Sequence, residues 1–109
     1  MSPTDIVPYA IVRLVELTNR ADSAGFVTVF TPDATLVDGG RTFSGRDEIA
    51  AWDETDNIGV GMHFTLISVL STERHDYEVT LAAVSRRFTG TGTMHITLRD
   101  DLISSLIIG

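Results

Sequence analysis

No stretch of this chain restricts its folding more than Phe30 to Ile49, which reads Phe-Thr-Pro-Asp-Ala-Thr-Leu-Val-Asp-Gly-Gly-Arg-Thr-Phe-Ser-Gly-Arg-Asp-Glu-Ile. Pro32 forbids continuation of any helix arriving from the N-terminal side. Ala34 to Asp38 reads as a strand, and Gly39-Gly40 supplies the backbone freedom for a tight reversal into Arg41-Thr42-Phe43. Ser44 and Asp47 then have the spacing of a capping box, which opens a helix over 45–55 with Ile49 and Trp52 facing inward. A helix end, a strand, a carboxylate at the end of that strand and a new capped helix thus follow one another within a single short segment.

The flanking sequence completes an α+β pattern. Val7, Ala10, Ile11, Leu14 and Leu17 recur every three or four residues, the apolar stripe of an amphipathic helix that ends near Asn19. Pro8 fits its first turn, with a looser turn ahead of Val7. Asp22 can cap a second, short helix reaching Phe30, on which Phe26, Val27 and Phe30 share a face. Beyond Gly59-Val60-Gly61, segments 62–72, 77–89, 93–100 and Leu102–Ile108 are rich in β-branched and aromatic residues. Turns at Glu73-Arg74-His75-Asp76 and Gly90-Thr91-Gly92 make them an antiparallel meander. Leu102–Ile108 is apolar on both alternating faces, so both faces of the sheet need cover: helices on one side and a second copy of the chain on the other.

Composition removes whole classes of function. The 109 residues suffice for one domain, 1–109, and one core. A net charge of -7, with every basic residue an arginine and none clustered, disfavours nucleic acid and anionic membrane surfaces. No apolar run approaches the length of about 20 residues that spans a bilayer. Met1-Ser2-Pro3-Thr4-Asp5 carries an acid where a secretory signal carries positive charge, so the expected location is cytoplasmic. With no cysteine, disulfides, thiol nucleophiles and thiolate metal sites are excluded. The chain also lacks a phosphate loop, a Gly-x-Ser-x-Gly elbow and a dinucleotide fingerprint, so no cofactor is implied.

The order of parts from Phe30 to Ile49 resembles the SnoaL-like branch of the nuclear-transport-factor-2-like superfamily, and the resemblance runs from the first helix to the last strand. It implies a cone in which three N-terminal helices pack into a strongly curved antiparallel or mixed sheet. In the ketosteroid isomerases of that superfamily a catalytic aspartate occupies the place of Asp38. The family's oxyanion-binding tyrosine falls on Leu14 here, and its second acid falls on or beside His95, so those donors do not carry over. Dehydratases that resemble this fold place histidines on the sheet interior, which draws attention to His63 and His95. Limonene epoxide hydrolases use an Asp-Arg-Asp set, for which Arg86 or Arg87 and Arg99 with Asp100 supply residue types without a specific spacing.

Asp38 is the leading catalytic candidate, a general base set among apolar residues, with His63 or His95 as a partner if both face the cone interior. The alternative is that Asp38, followed by two glycines, only stabilises its turn. Leu14, Phe26, Phe30, Trp52, Met62 and Phe88 are the candidate lining of an apolar pocket, each of which is equally suited to plain core. Two histidines far apart, with no close ligand spacing, make no metal signature. Asp33 and Arg46 are read as turn and helix-terminus residues. Two functions remain open. One is a cofactor-independent isomerase, cyclase, dehydratase or hydrolase acting on a small apolar molecule. The other is a non-catalytic homodimeric binding or accessory module.

Overall fold

The computed structural model describes residues 7–109. The looser turn expected ahead of Val7, and the acidic start Met1 to Asp5, lie outside the described residues. Helix α1 (Tyr9–Asn19) begins after Pro8 and buries Ala10, Ile11, Leu14, Leu17 and Thr18, the stripe its periodicity dictates. Helix α2 (Ser23–Phe26) is shorter than expected, because the chain tightens into a 3-10 turn at Val27–Val29 and becomes extended at Phe30. Asp22 does cap it, accepting the Gly25 N–H at 2.9 Å.

Strand β1 (Phe30–Asp38) starts four residues before Ala34 and carries Pro32 within it. The register explains how a proline is tolerated there, since pairing with the last strand is irregular between Phe30 and Thr35 and Pro32 sits in that bulge. The Phe30 carbonyl at its edge accepts two hydrogen bonds from Arg46, at 2.6 and 3.0 Å. Strand β2 (Arg41–Ser44) pairs back onto β1 across Gly39-Gly40, whose φ values of +58° and +82° are those of a two-residue hairpin turn. Helix α3 (Gly45–Asp56) follows, burying Ile49 and Trp52. Its expected Ser44–Asp47 capping box is replaced: the Ser44 side chain makes no cap bond, and its backbone N–H donates to Glu48 Oε1 at 2.8 Å. Gly45, at φ +82°, turns the chain between that N–H and the helix that carries Glu48.

Strands β3 (His63–Glu73), β4 (Asp76–Val84), β5 (Thr89–Arg99) and β6 (Leu102–Ile108) form an antiparallel meander. The β4–β5 turn lies at 85–88, not at Gly90-Thr91-Gly92, which are paired within β5. Ser85 organises that turn: its Oγ accepts the N–H groups of Arg87 and Phe88, both at 3.1 Å. β1 pairs with β6 in parallel, giving one mixed six-stranded sheet in the order β2-β1-β6-β5-β4-β3. The sheet curves about the three helices in an α+β fold. Leu36, Phe64, Val79, Leu81, Met94, Ile96, Ile103 and Leu106 meet the helices from its inner face. No helix among the described residues is long and apolar enough to cross a membrane.

Candidate functional site

A cavity of about 360 Å³ opens where the end of β1, the C-terminal half of α3 and the β4–β5 turn come together. That is within the range of small-molecule sites, toward its lower end. Trp52, Met62, Phe64, Leu81, Phe88 and Met94 supply most of the apolar wall, and Asp38, Asp56, Asn57 and Arg87 are among its polar groups.

Asp38 ends β1 opposite Ile108 of β6 and on the same face as Leu36, so the strand's alternation turns it inward. Two donors hold one of its oxygens: Trp52 Nε1–H at 2.9 Å and the Arg41 guanidinium at 3.2 Å, both on Oδ2. Among the described residues nothing donates to Oδ1. Trp52 is steadied from behind by Phe26, whose ring stacks on it at 6.3 Å, and Phe26 in turn packs on Phe30 at 5.4 Å. Arg41 lies over the Phe43 ring and bridges from Asp38 to Asp56 Oδ2, again at 3.2 Å. Arg87 reaches the other Asp56 oxygen at 3.4 Å, so an Asp-Arg-Asp-Arg chain runs along the cavity rim. The charges in that chain cancel. Its arginines are more than half exposed, so its ion pairs add little to stability.

Behind the wall lies a buried polar network. Asn57 is fully buried and donates from Nδ2 to Asp53 Oδ1 at 2.9 Å and to Thr18 Oγ1 at 3.2 Å. Burial pushes the Asp53 carboxyl above its ordinary 3.8, against the opposing pull of hydrogen bonds from Asn57, the Ile58 N–H and Ser23. Asn57 Oδ1 is buried without a partner among the described residues. At the opposite end of the sheet Asp33 pairs with Arg99, which holds the Asp33 carboxyl below its ordinary value. Neither Asp33 nor Arg99 lines the cavity.

The candidates named from sequence divide cleanly. Asp38, Trp52, Met62 and Phe88 line the cavity. Leu14, Phe26 and Phe30 do not: they are at most 1 % exposed and belong to the core, the two phenylalanines as the support of Trp52. His63 and His95 are corrected in orientation. Phe64 and Met94 take the inward positions next to them, so alternation puts both histidines on the outer face, exposed and away from Asp38. Sequence reasoning missed Asp56, Asn57 and Arg41. Only folding the Gly39-Gly40 hairpin against the end of α3 reveals them, although an arginine directly cross-strand from Asp38 was a usable signal. Among the described residues no cluster of three potential metal ligands occurs.

The sequence profile of the SnoaL-like domain family matches residues 11–106. This chain belongs to the SnoaL-like domain family. Solved structures agree on the fold of this SnoaL-like domain. A candidate polyketide cyclase from Sinorhizobium meliloti superposes with a TM-score of 0.85 at 20% identity, covering 94% of this chain and 95% of its own. A Mycobacterium tuberculosis protein in complex with estradiol-17β-hemisuccinate gives 0.77 at 14% identity, with 91% and 88% covered. The Δ5-3-ketosteroid isomerase from Mycobacterium sp. gives 0.78 at 16% identity, with 92% and 88% covered. No significant sequence match to a curated protein is found.

Proposed function

We propose that this SnoaL-like domain binds a compact apolar molecule in the cavity beside Asp38 and uses Asp38 Oδ1 as a proton acceptor, in an isomerase, cyclase, dehydratase or hydrolase reaction without a cofactor. The observation that carries this is the asymmetry of the carboxylate. Trp52 and Arg41 fix one oxygen, while the other receives no bond among the described residues and belongs to a residue in a largely apolar wall. A base needs such a fixed direction and a free lone pair, and the apolar surround strengthens every electrostatic contact made inside it. Arg41, shared between Asp38 and Asp56, takes the place expected of a histidine partner. With Asp38 and Asp56 both ionised, Arg41 and Arg87 balance their charge along the rim. The steroid ligand of the Mycobacterium tuberculosis relative supports an apolar occupant.

The second reading, a non-catalytic binding or accessory module, is favoured by the Asp38–Arg41 pair, which also closes the Gly39-Gly40 turn. Ligand-observed NMR on a library of one- and two-ring compounds separates the two readings. For a catalytic site, some binders are chemically converted by the wild type and are bound but left unconverted by Asp38→Asn. Binders that persist unconverted with both proteins remove the base from the proposal and leave the binding module. In either reading we place a second copy of the chain on the outer sheet face. The centre of that face, where β1, β6, β5 and β4 adjoin, carries Thr35, Val37, Ser105, Ile107 and Thr80, with His95 beside Glu78.

A further inference from the structure

The segment Gly90-Thr91-Gly92 makes no turn in this structure, so its glycines need another reason. β5 pairs with β4 without a register break from Thr89 to Thr97, and neither glycine marks a bulge. Neither takes the left-handed φ that favours glycine. A glycine inside a strand weakens it, through backbone entropy and the lack of a side chain to pack, and it often stands where a ligand or another backbone comes close. Both glycines face the interior. They lie directly cross-strand from Ala83 and Leu81, which are buried, and four and two residues before the buried Met94.

What covers them differs. A Cβ on Gly90 would meet the Phe88 ring at 3.0 Å, so that ring lies on the bare backbone of residue 90. At Gly92, apart from its chain neighbours, no atom among the described residues comes within 4 Å of the Cβ position. No close backbone therefore calls for a glycine there. Gly92 lines the cavity, together with Leu81 across the strand pair and Met94, the next inward residue of β5. The missing side chain leaves open space in the cavity wall.

The register also says how far that space is from Asp38. Asp38, Ile108 and Met94 stand side by side on β1, β6 and β5. Gly92 is thus two strands and two residues away, roughly 12 Å along the sheet. A one-ring molecule placed against Asp38 stops short of Gly92, whereas a two-ring molecule reaches it. We infer that Gly92 is the size-determining residue of this cavity and that its occupant is a two-ring apolar molecule, whose far ring rests on the β5 backbone at Gly92 as the Phe88 ring rests at Gly90. This deepens, and rests on, the reading that the cavity is the ligand site.

Gly92→Ala and Gly92→Val, compared with the wild type, test it with phenol and 2-naphthol as probes. Binding is followed through the indole N–H signal of Trp52, the single tryptophan, on the cavity wall. The expected result is that 2-naphthol affinity falls about three-fold in the alanine variant and about ten-fold or more in the valine variant, while phenol changes less than about two-fold. Urea midpoints separate a role in ligand size from a role in the sheet. Both variants should unfold at or above the wild-type midpoint, because the new Cβ meets no protein atom and a side chain strengthens a strand. A lower midpoint assigns Gly92 to the shape of the sheet and overturns the inference whatever the affinities. Equal losses for the two probes, or no loss for 2-naphthol, also overturn it and leave the cavity as a ligand site. Failure of both probes to move the Trp52 signal of the wild type overturns this inference and the reading of the cavity beneath it.

Discussion

Asp53 shows how a single carboxyl can serve structure at the expense of stability at neutral pH. Its burial disfavours the charged form, so its proton affinity is higher folded than unfolded. The folded state then binds more protons than the unfolded state between the ordinary value of 3.8 and the raised one. The contribution of Asp53 is therefore fully present below 3.8 and lost as pH rises through its folded value. Asp53→Asn keeps an oxygen for Asn57 and the Ile58 N–H while removing the titration. Urea midpoints measured from pH 4 upward should fall less with pH in the variant than in the wild type across that window. Parallel curves would show that Asp53 is not the group responsible. Asp33 has the opposite sign: Arg99 stabilises its charged form, so its contribution is present above 3.8 and lost as pH falls through its lowered value.

At the scale of elements, backbone approach limits this fold more tightly than side-chain packing at Gly59. The 3-10 turn Ile58–Val60 lies directly on the end of α3, and a Cβ on Gly59 would fall 1.4 Å from the Glu54 carbonyl oxygen. Gly59→Ala must push this turn, which joins Asn57 to the strand that begins at His63, away from the end of α3. A loss of about 2 to 3 kcal/mol in chemical denaturation is expected, with weaker ligand binding. A change under 0.5 kcal/mol would mean that the turn yields, the ordinary outcome at an unconstrained surface site. The exposed edge of β3 is closed in a related way, by the Asn19 amide bonding both the N–H and the carbonyl of Phe64, at 2.8 and 2.9 Å.

The elements themselves were legible because they depend on local chemistry. The stripe of α1, the Asp22 cap, the Gly39-Gly40 turn and the meander all follow from neighbours within a few residues. The β4–β5 turn was misplaced because the Ser85 hydroxyl builds it without a glycine, while Gly90 and Gly92 are tolerated inside β5. Residue types alone do not separate those two uses of glycine.

For the whole molecule, the site was half legible. Asp38 and Trp52 were visible because strand alternation and helix period each fix a facing direction. The histidines faded from the site through the same alternation, since inward Phe64 and Met94 oblige His63 and His95 to face out. Asp56, Asn57 and Arg87 come together only through contacts across more than one element, which no local pattern encodes. The outer face bears the remaining prediction. If it is the dimer interface, Ile107→Lys, at a residue 43% exposed in the single chain, introduces a charge beside its own symmetry-related copy or a close neighbour. Light scattering at micromolar concentration should give a dimer for the wild type and a monomer for the variant, and a monomeric wild type would end the dimer reading.

The parallel pairing of β1 with β6 sets the first strand of the chain beside the last, in the interior of the sheet. During synthesis the β1–β2 hairpin must wait, with one long side unpaired, until β6 has left the ribosome. The cavity that needs Asp38 on one side and the β4–β5 turn on the other cannot exist before that moment. Contacts of this sequence separation are slow to form. The nascent chain therefore passes through an interval in which the unpaired edge of β1 is available to chaperones or to a neighbouring copy, and the cavity beside Asp38 forms only once β6 has paired.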